Sequence, residues 1–181
     1  MKKALIIIDF VNDFVDDKGA LTCGAPAQRI DGRIAGLVKE FSERGDFIVI
    51  ANDSHSPGDK FSPESGAFPE HCISGAWGGE LYGETDKAVA SAGEEEKITI
   101  PKSRYSAFCG TALDLKLRER GVRDIYLVGV CSDICVLHTA VDAYNLGYTV
   151  SVYENGIASF NEAGHRFALE HFKNVLGASV L

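Results

Sequence analysis

No stretch of the chain is long and apolar enough to read as a membrane span. The best candidate is the opening run "MKKALIIIDF", and Asp9 interrupts it too early for a signal-peptide core or a spanning helix. It reads instead as a first β-strand. Positive charge is scarce: 18 Lys and Arg stand against 26 Asp and Glu, for a formal charge of -8. That balance argues against nucleic acid and anionic membrane as partners and leaves a small molecule or another protein. Five cysteines are an odd number in a chain too long to need stapling, so free thiols in a reducing cytoplasm are expected in place of a disulfide framework. Internal repeats, heptads and dividing linkers are absent. No glycine-rich phosphate loop follows the first strand, where "DFVNDF" stands, so flavodoxin-like nucleotide binding lacks its signature.

What is present fits one domain spanning residues 1–181, with 45% hydrophobic residues to fill a core. Short runs rich in Val, Ile and Leu recur: "ALIIID", "DFIVIAN", "KITIP", "DIYLVGV", "YTVSVYE" and "ASVL". These read as strands buried on both faces. Between them, "RIDGRIAGLVKEFSERG", "TALDLKLRERG", "SDICVLHTAVDAYNLG" and "NEAGHRFALEHFKNVLG" carry apolar residues at helical spacing. Three open on Thr, Ser or Asn as caps, and all four close on glycine. The alternation predicts an α/β fold, a three-layer α/β/α arrangement around a mostly parallel six-stranded sheet. Residues 53–93 break the pattern with Pro, Gly, Ser and charge, and such a long irregular segment is expected to be functional or mobile.

Ligands of open α/β sheets bind beyond the carboxyl ends of the strands. Asp9, Asp53 with His55, Lys102, and the turn "GVCSDICV" all fall there. In that turn Cys131 follows the strand, and Cys135 enters the first turn of the next helix if Ser132 or Asp133 caps it. The positive end of the helix dipole favours thiolate, which makes Cys135 the better nucleophile; the alternative is that both cysteines are packing residues. A nucleophilic thiol needs a partner, and His138, one turn on, competes with Asp9 and Lys102 for that place. Asp53, His55, Glu64 and His71 form a second group of metal-ligand type, suited to Zn²⁺, Mn²⁺ or Fe²⁺, provided the loop between residues 56 and 70 returns His71 to the extended "DSH". Phe14, Phe68, Trp77 and Tyr105 read as core or oligomer-contact aromatics, and Phe14, Phe68 and Tyr105, which follow the polar segments, as a place where a flat ligand could stack. The segment "GAWGGELY" reads as a lid or a subunit contact, and Cys23, Cys72 and Cys109 as packing or incidental thiols.

"LIIIDFVNDF", "NDSH" followed by "FPEHC", "KSRYSAF" and "GVCSDICVLHTAVDAYNLGY", in this order, resemble the isochorismatase-like cysteine hydrolases and, within them, the nicotinamidases. The resemblance covers essentially the whole chain. It implies that Cys135 is the nucleophile, Asp9 the general base and Lys102 the cation that orients them, which returns His138 to packing. It also implies a cis Val130–Cys131 peptide and an oxyanion hole built from the backbone N–H groups of Cys131 and Cys135. Asp53, His55 and His71 match the family's metal ligands, with Glu64 a further carboxylate at the site. Zinc is the leading ion, iron and manganese the alternatives. Phe14, Phe68 and Tyr105 would surround a pyridine ring.

The implied activity is hydrolysis of nicotinamide to nicotinic acid and ammonia through a cysteine thioester, a step of NAD salvage. A carbamoyl or ureido amidase of the same fold, which needs no such ion, is the nearest alternative, and a non-catalytic metal-binding domain a more distant one. The sequence leaves a homo-oligomer open.

Overall fold

Alternating side chains of the first strand divide between two cores. A computed structural model describes residues 2–181. In β1 (Lys3–Ile8), Ala4, Ile6 and Ile8 enter one hydrophobic cluster and Leu5 and Ile7 the other, all fully buried. This is the two-residue period of a strand covered on both faces. The other strands are β2 (Phe47–Asp53), β3 (Lys97–Lys102), β4 (Asp124–Val130), β5 (Thr149–Ala158) and β6 (Ser179–Val180). They form one sheet in the order β3-β2-β1-β4-β5-β6. Every pairing is parallel, so the sheet is fully parallel where a mostly parallel one was expected.

The helices are α1 (Asn12–Val15), α2 (Ala25–Gln28), α3 (Asp31–Glu43), α4 (Gly83–Ser91), α5 (Leu113–Glu119), α6 (Leu137–Asn145) and α7 (Glu162–Asn174). Ile34, Leu37, Val38 and Phe41 of α3 pack with Ala88 and Val89 of α4 in the core that holds Leu5 and Ile7. Leu113 and Leu117 of α5, Ala140 and Ala143 of α6, and Ala168 and Phe172 of α7 fill the opposite core. The three layers follow from this division. Among the described residues no helix is long and apolar enough to cross a membrane.

Helix α4 lies inside the segment read as irregular. Its local sequence has no N-terminal cap of its own. The Asp31 carboxylate, at the start of α3, accepts hydrogen bonds from the Glu84 and Thr85 N–H groups, each at 2.8 Å. A cap delivered from 53 residues away leaves no local signature. The Asn161 cap of α7 forms as expected, its side chain accepting from Gly164 N–H at 3.1 Å. Thr111 acts one residue early, accepting from Leu113 N–H at 3.2 Å, while Ala112 holds the cap position of α5. The four closing glycines, Gly45, Gly121, Gly147 and Gly177, all adopt positive φ. Strand β3 departs from the expectation of two buried faces: it is an edge strand with Lys97, Ile98, Thr99 and Pro101 wholly or partly exposed. An edge is where a strand tolerates proline.

The order of strands positions the site. From β1 the chain first builds outward through β2 and β3, then crosses back to place β4 on the other side of β1. Such a switch point opens a crevice at the carboxyl ends of its two strands. Gly129 sits there at φ 119, in register with Ile8 and beside a shift in the β4–β5 pairing. A Cβ at this position would strike the Ile8 carbonyl. Gly129→Ala is therefore expected to lose about 3 kcal/mol or more of stability in urea unfolding, through backbone strain and overpacking together. A wild-type midpoint would mean that β1 and β4 can separate without loss.

Candidate active site

Three neighbouring strands each end in a charge. Asp53 and Lys102 are register partners at the ends of β2 and β3, and Asp9 follows β1 with its N–H bonded to Ala51 O at 3.0 Å. Lys102 is 2% exposed. Its Nζ contacts Asp9 Oδ2 at 2.7 Å, pairs closely with Asp53, donates to Arg104 O at 3.1 Å and lies 3.7 Å from Cys135 Sγ. Asp9 Oδ1 accepts from Asp53 N–H at 2.7 Å. Burial and then the Asp53 charge raise the Asp9 carboxyl to about 7, against the pull of Lys102. Burial, followed by the charge of Asp9, likewise pushes the Cys135 thiol well above its ordinary value. Burial works against the Lys102 ammonium, yet Asp9, Cys135 and Asp53 hold its pKa well above normal. The resting thiol therefore stays protonated beside a carboxyl that titrates near neutrality.

Cys135 reaches this group from a π-helical turn, Ser132–Val136, that precedes α6. The Val136 and Ile134 N–H groups both donate to Cys131 O, at 3.2 and 3.1 Å. Cys131 occupies the cap position, so the expectation that Ser132 or Asp133 caps the helix is corrected. The Ser132 hydroxyl instead hydrogen-bonds His165 Nδ1 at 2.9 Å, and the Asp133 carboxylate packs on Gly164 of α7. π-turns within helices recur at functional sites. The Val130–Cys131 peptide is cis. The Cys131 N–H donates to no group among the described residues. His138 is exposed, and its Nδ1 donates to Ile134 O at 2.7 Å; it forms no dyad with Cys135.

Asp53, His55, Glu64 and His71 converge, each with a donor atom within 4.8 Å of the others. The loop returns as required, because His55 and Ile73 form a parallel bridge in which His55 N–H donates to Cys72 O at 3.0 Å. Glu64 arrives on a 3₁₀ turn, Pro63–Gly66. His71 Nδ1 lies 2.9 Å from Pro69 O, and because a carbonyl can only accept, Nδ1 donates there and Nε2 faces Glu64 Oε2 at 3.4 Å. His55 Nε2 is buried without a hydrogen-bond partner. Two imidazoles and two carboxylates with an orphaned ring nitrogen fit a divalent cation such as zinc.

Between this cluster and Cys135 opens a cavity of about 470 Å³ whose walls include Phe14, Phe68 and Tyr105. Leu21 and Phe160, to which no motif pointed, also border it, as does Ile134 of the turn "GVCSDICV". Trp77 does not. Its segment is fastened to the turn after β1: Asn12 N–H donates to Glu80 O at 2.9 Å, Asn12 Nδ2 to Trp77 O at 2.8 Å, and Tyr82 N–H to Phe10 O at 3.1 Å. Asp13 also escaped the sequence reading. Its carboxylate accepts from Cys72 N–H at 2.7 Å and from Ala20 N–H at 3.1 Å, linking the residue after His71 to the pocket wall. The signal was faint, a second aspartate in "DFVNDF" whose partners lie elsewhere in the chain.

A parallel α/β sheet carrying a thiol, a carboxylate and an ammonium at its switch point defines a class of hydrolase-like folds. The Isochorismatase domain matches residues 3–180, and the chain belongs to the isochorismatase family. Its structure is similar to that of nicotinamidase/pyrazinamidase PncA from Bacillus subtilis, with 51% identity, a TM-score of 0.97 and 99% of each chain covered. A pyrazinamidase/nicotinamidase from Streptococcus mutans is 46% identical, with a TM-score of 0.97 over 99% of this chain and 100% of that one. The pyrazinamidase of Pyrococcus horikoshii, in complex with zinc, is 29% identical, with a TM-score of 0.87 over 100% of this chain and 99% of that one.

Asp13→Ala is expected to lower unfolding stability by about 2–3 kcal/mol, the usual loss for hydrogen bonds to a charged acceptor. Urea denaturation provides the check, and an unchanged midpoint would show that the carboxylate holds neither loop.

Proposed function

We propose that the protein is an amidohydrolase that converts nicotinamide to nicotinic acid and ammonia through a thioester on Cys135. The observation that carries the reading is the buried Lys102 ammonium, in contact with Asp9 and Cys135 at the edge of an aromatic-walled cavity beside the four-donor cluster. The similarity to proteins described as nicotinamidase/pyrazinamidase supports it.

Cys135 Sγ attacks the carboxamide carbon while Asp9 takes the thiol proton. Because burial raises both groups, transfer of the proton accompanies attack and no standing thiolate is required. A base titrating at about 7 is matched to neutral operation. Lys102 holds the carboxylate against the repulsion of Asp53 and orients it toward sulfur. The backbone N–H groups of Cys131 and Cys135 receive the developing oxyanion, a kind of contact worth roughly 3–4 kcal/mol per donor. Asp9 returns its proton to the departing nitrogen, ammonia leaves, and Asp9 then activates the water that cleaves the thioester. Phe14, Phe68 and Tyr105 pack on the ring. Asp53, His55 and His71, with Glu64, would hold the ion, which is zinc foremost and otherwise iron or manganese. When bound, the ion supplies Lewis acidity toward a pyridine nitrogen. The reaction returns the pyridine ring to NAD synthesis, and the free cysteines suit a reducing cytoplasm.

Ammonia release from nicotinamide by the purified protein, followed before and after chelation with metal add-back, is expected to disappear with the chelator and return with zinc. No release from folded, metal-replete protein would turn the search toward a carbamoyl or ureido substrate. Cys135→Ala is expected to fold normally and lose turnover entirely; wild-type turnover in that variant would end the assignment of the nucleophile. Lys102→Ala is expected to lose turnover and about 3–5 kcal/mol of stability in denaturant titration, because two buried carboxylates are left without a counter-charge. Undiminished turnover would remove Lys102 from the mechanism.

A further inference from the structure

Two sulfurs beside the site have no part in the chemistry above. Cys23 Sγ lies 3.2 Å from Cys131 Sγ, although 108 residues separate them in sequence. No other two thiols make contact among the described residues. Cys23 is 5% exposed. Cys131 is half-buried and borders the substrate cavity, as do Leu21 and Thr22, which lead into Cys23. A water-sized reagent that enters the cavity therefore arrives at the pair. Each partner is firmly placed: Cys23 N–H donates to Phe14 O at 2.8 Å, and Cys131 O accepts from Ile134 N–H and from Val136 N–H, the latter with the five-residue spacing of the π-helical turn.

We propose that Cys23 and Cys131 are a reversible oxidation site, at which hydrogen peroxide entering through the substrate cavity joins the two thiols as a disulfide. The hydrogen-bonding contact with Cys131 holds the Cys23 thiol below its ordinary pKa against the opposing effect of burial. That same contact, then burial, raises Cys131 far above. Either sulfur can be first; with Cys23 as the attacking thiolate the atoms balance. Its thiolate takes one peroxide oxygen, the O–O bond breaks, and hydroxide leaves to collect the Cys23 proton as water. Cys131 sulfur then displaces hydroxide from the Cys23 sulfenic acid, and the Cys131 proton completes a second water. Two thiols have lost two electrons and the peroxide has gained them.

Closing the bond brings the sulfurs to about 2.05 Å, a shift of roughly 1 Å. It is shared between the cavity wall and the residue whose N–H is assigned to the oxyanion. A displacement of that size at a reacting centre lowers turnover by as much as ~100-fold. This second consequence rests on the amidase reading; formation of the bond does not.

The experiment treats the reduced full chain and its Cys135→Ala variant with hydrogen peroxide, blocks remaining thiols with N-ethylmaleimide, and maps the unreduced digest by mass spectrometry. The expected result in both proteins is loss of two hydrogens and a peptide joining Cys23 to Cys131, reversed by dithiothreitol. Cys23→Ser is expected to match the untreated wild-type activity and to lack the dithiothreitol-recoverable fraction of inactivation. Cys23 and Cys131 both carrying maleimide after treatment, or a bridge from Cys131 to Cys135, would overturn the proposal whatever the substrate proves to be. A mapped Cys23–Cys131 bridge in a protein inactive on nicotinamide would uphold the oxidation site and count against the nicotinamide reading alone.

Discussion

The buried contact of one ammonium with two carboxylates is the constraint around which the rest is arranged. Removing each ion from water carries a penalty of several kcal/mol, which only close pairing offsets. Lys102 meets Asp9 at 2.7 Å and pairs with Asp53 only because β1, β2 and β3 end side by side, with Asp53 and Lys102 in register. A slip of one residue would turn one of the charges to the opposite face of the sheet. The alternating aliphatic side chains of β1 and β2, packed into cores on both faces, oppose such a slip. Hydrophobic burial of about 1.5–3 kcal/mol per large side chain therefore fixes the register on which the charges depend.

Asp53 ties two halves of the site together. It accepts from Lys102 and also belongs to the four-donor cluster with His55, Glu64 and His71. The cluster depends in turn on the bridge between His55 and Ile73 and on Asp13, whose carboxylate holds Cys72 at a φ of 47. Phe14, Phe68 and Tyr105 wall the cavity that opens between the two groups.

The thiol contact shows how closely the cavity wall is built onto the turn that carries Cys135. Cys23 follows a loop that Asp13 and Phe14 hold in place, and Cys131 opens the π-helical turn that carries Cys135. A change at either sulfur is felt by the wall and the turn together. Of the five cysteines, Cys109 alone is exposed and Cys72 is buried far from any sulfur partner.

Much of this was legible in the residues. Alternation of apolar strands with amphipathic helices, each closed by glycine, determined a layered α/β fold, because those periods have only a few ways to bury their apolar faces. The fall of Asp9, Asp53, His55, Lys102 and Cys135 at strand ends marked the edge where they meet. Sequence alone also offered a candidate thiol, its rival partners and a set of metal-type donors. Local patterns were silent on α4, whose cap comes from Asp31, and on Asp13, Leu21 and Phe160, whose partners are distant. They proposed Ser132 or Asp133 as a cap, where the fold has Cys131 at the cap position, and they left His138, Asp9 and Lys102 as rival partners for Cys135, of which the fold brings Lys102 beside the thiol and leaves His138 exposed. Periodicity describes which face of an element is buried. Which side chains meet across 50 or 100 residues is set by strand order and register, and these exist only once the chain has folded.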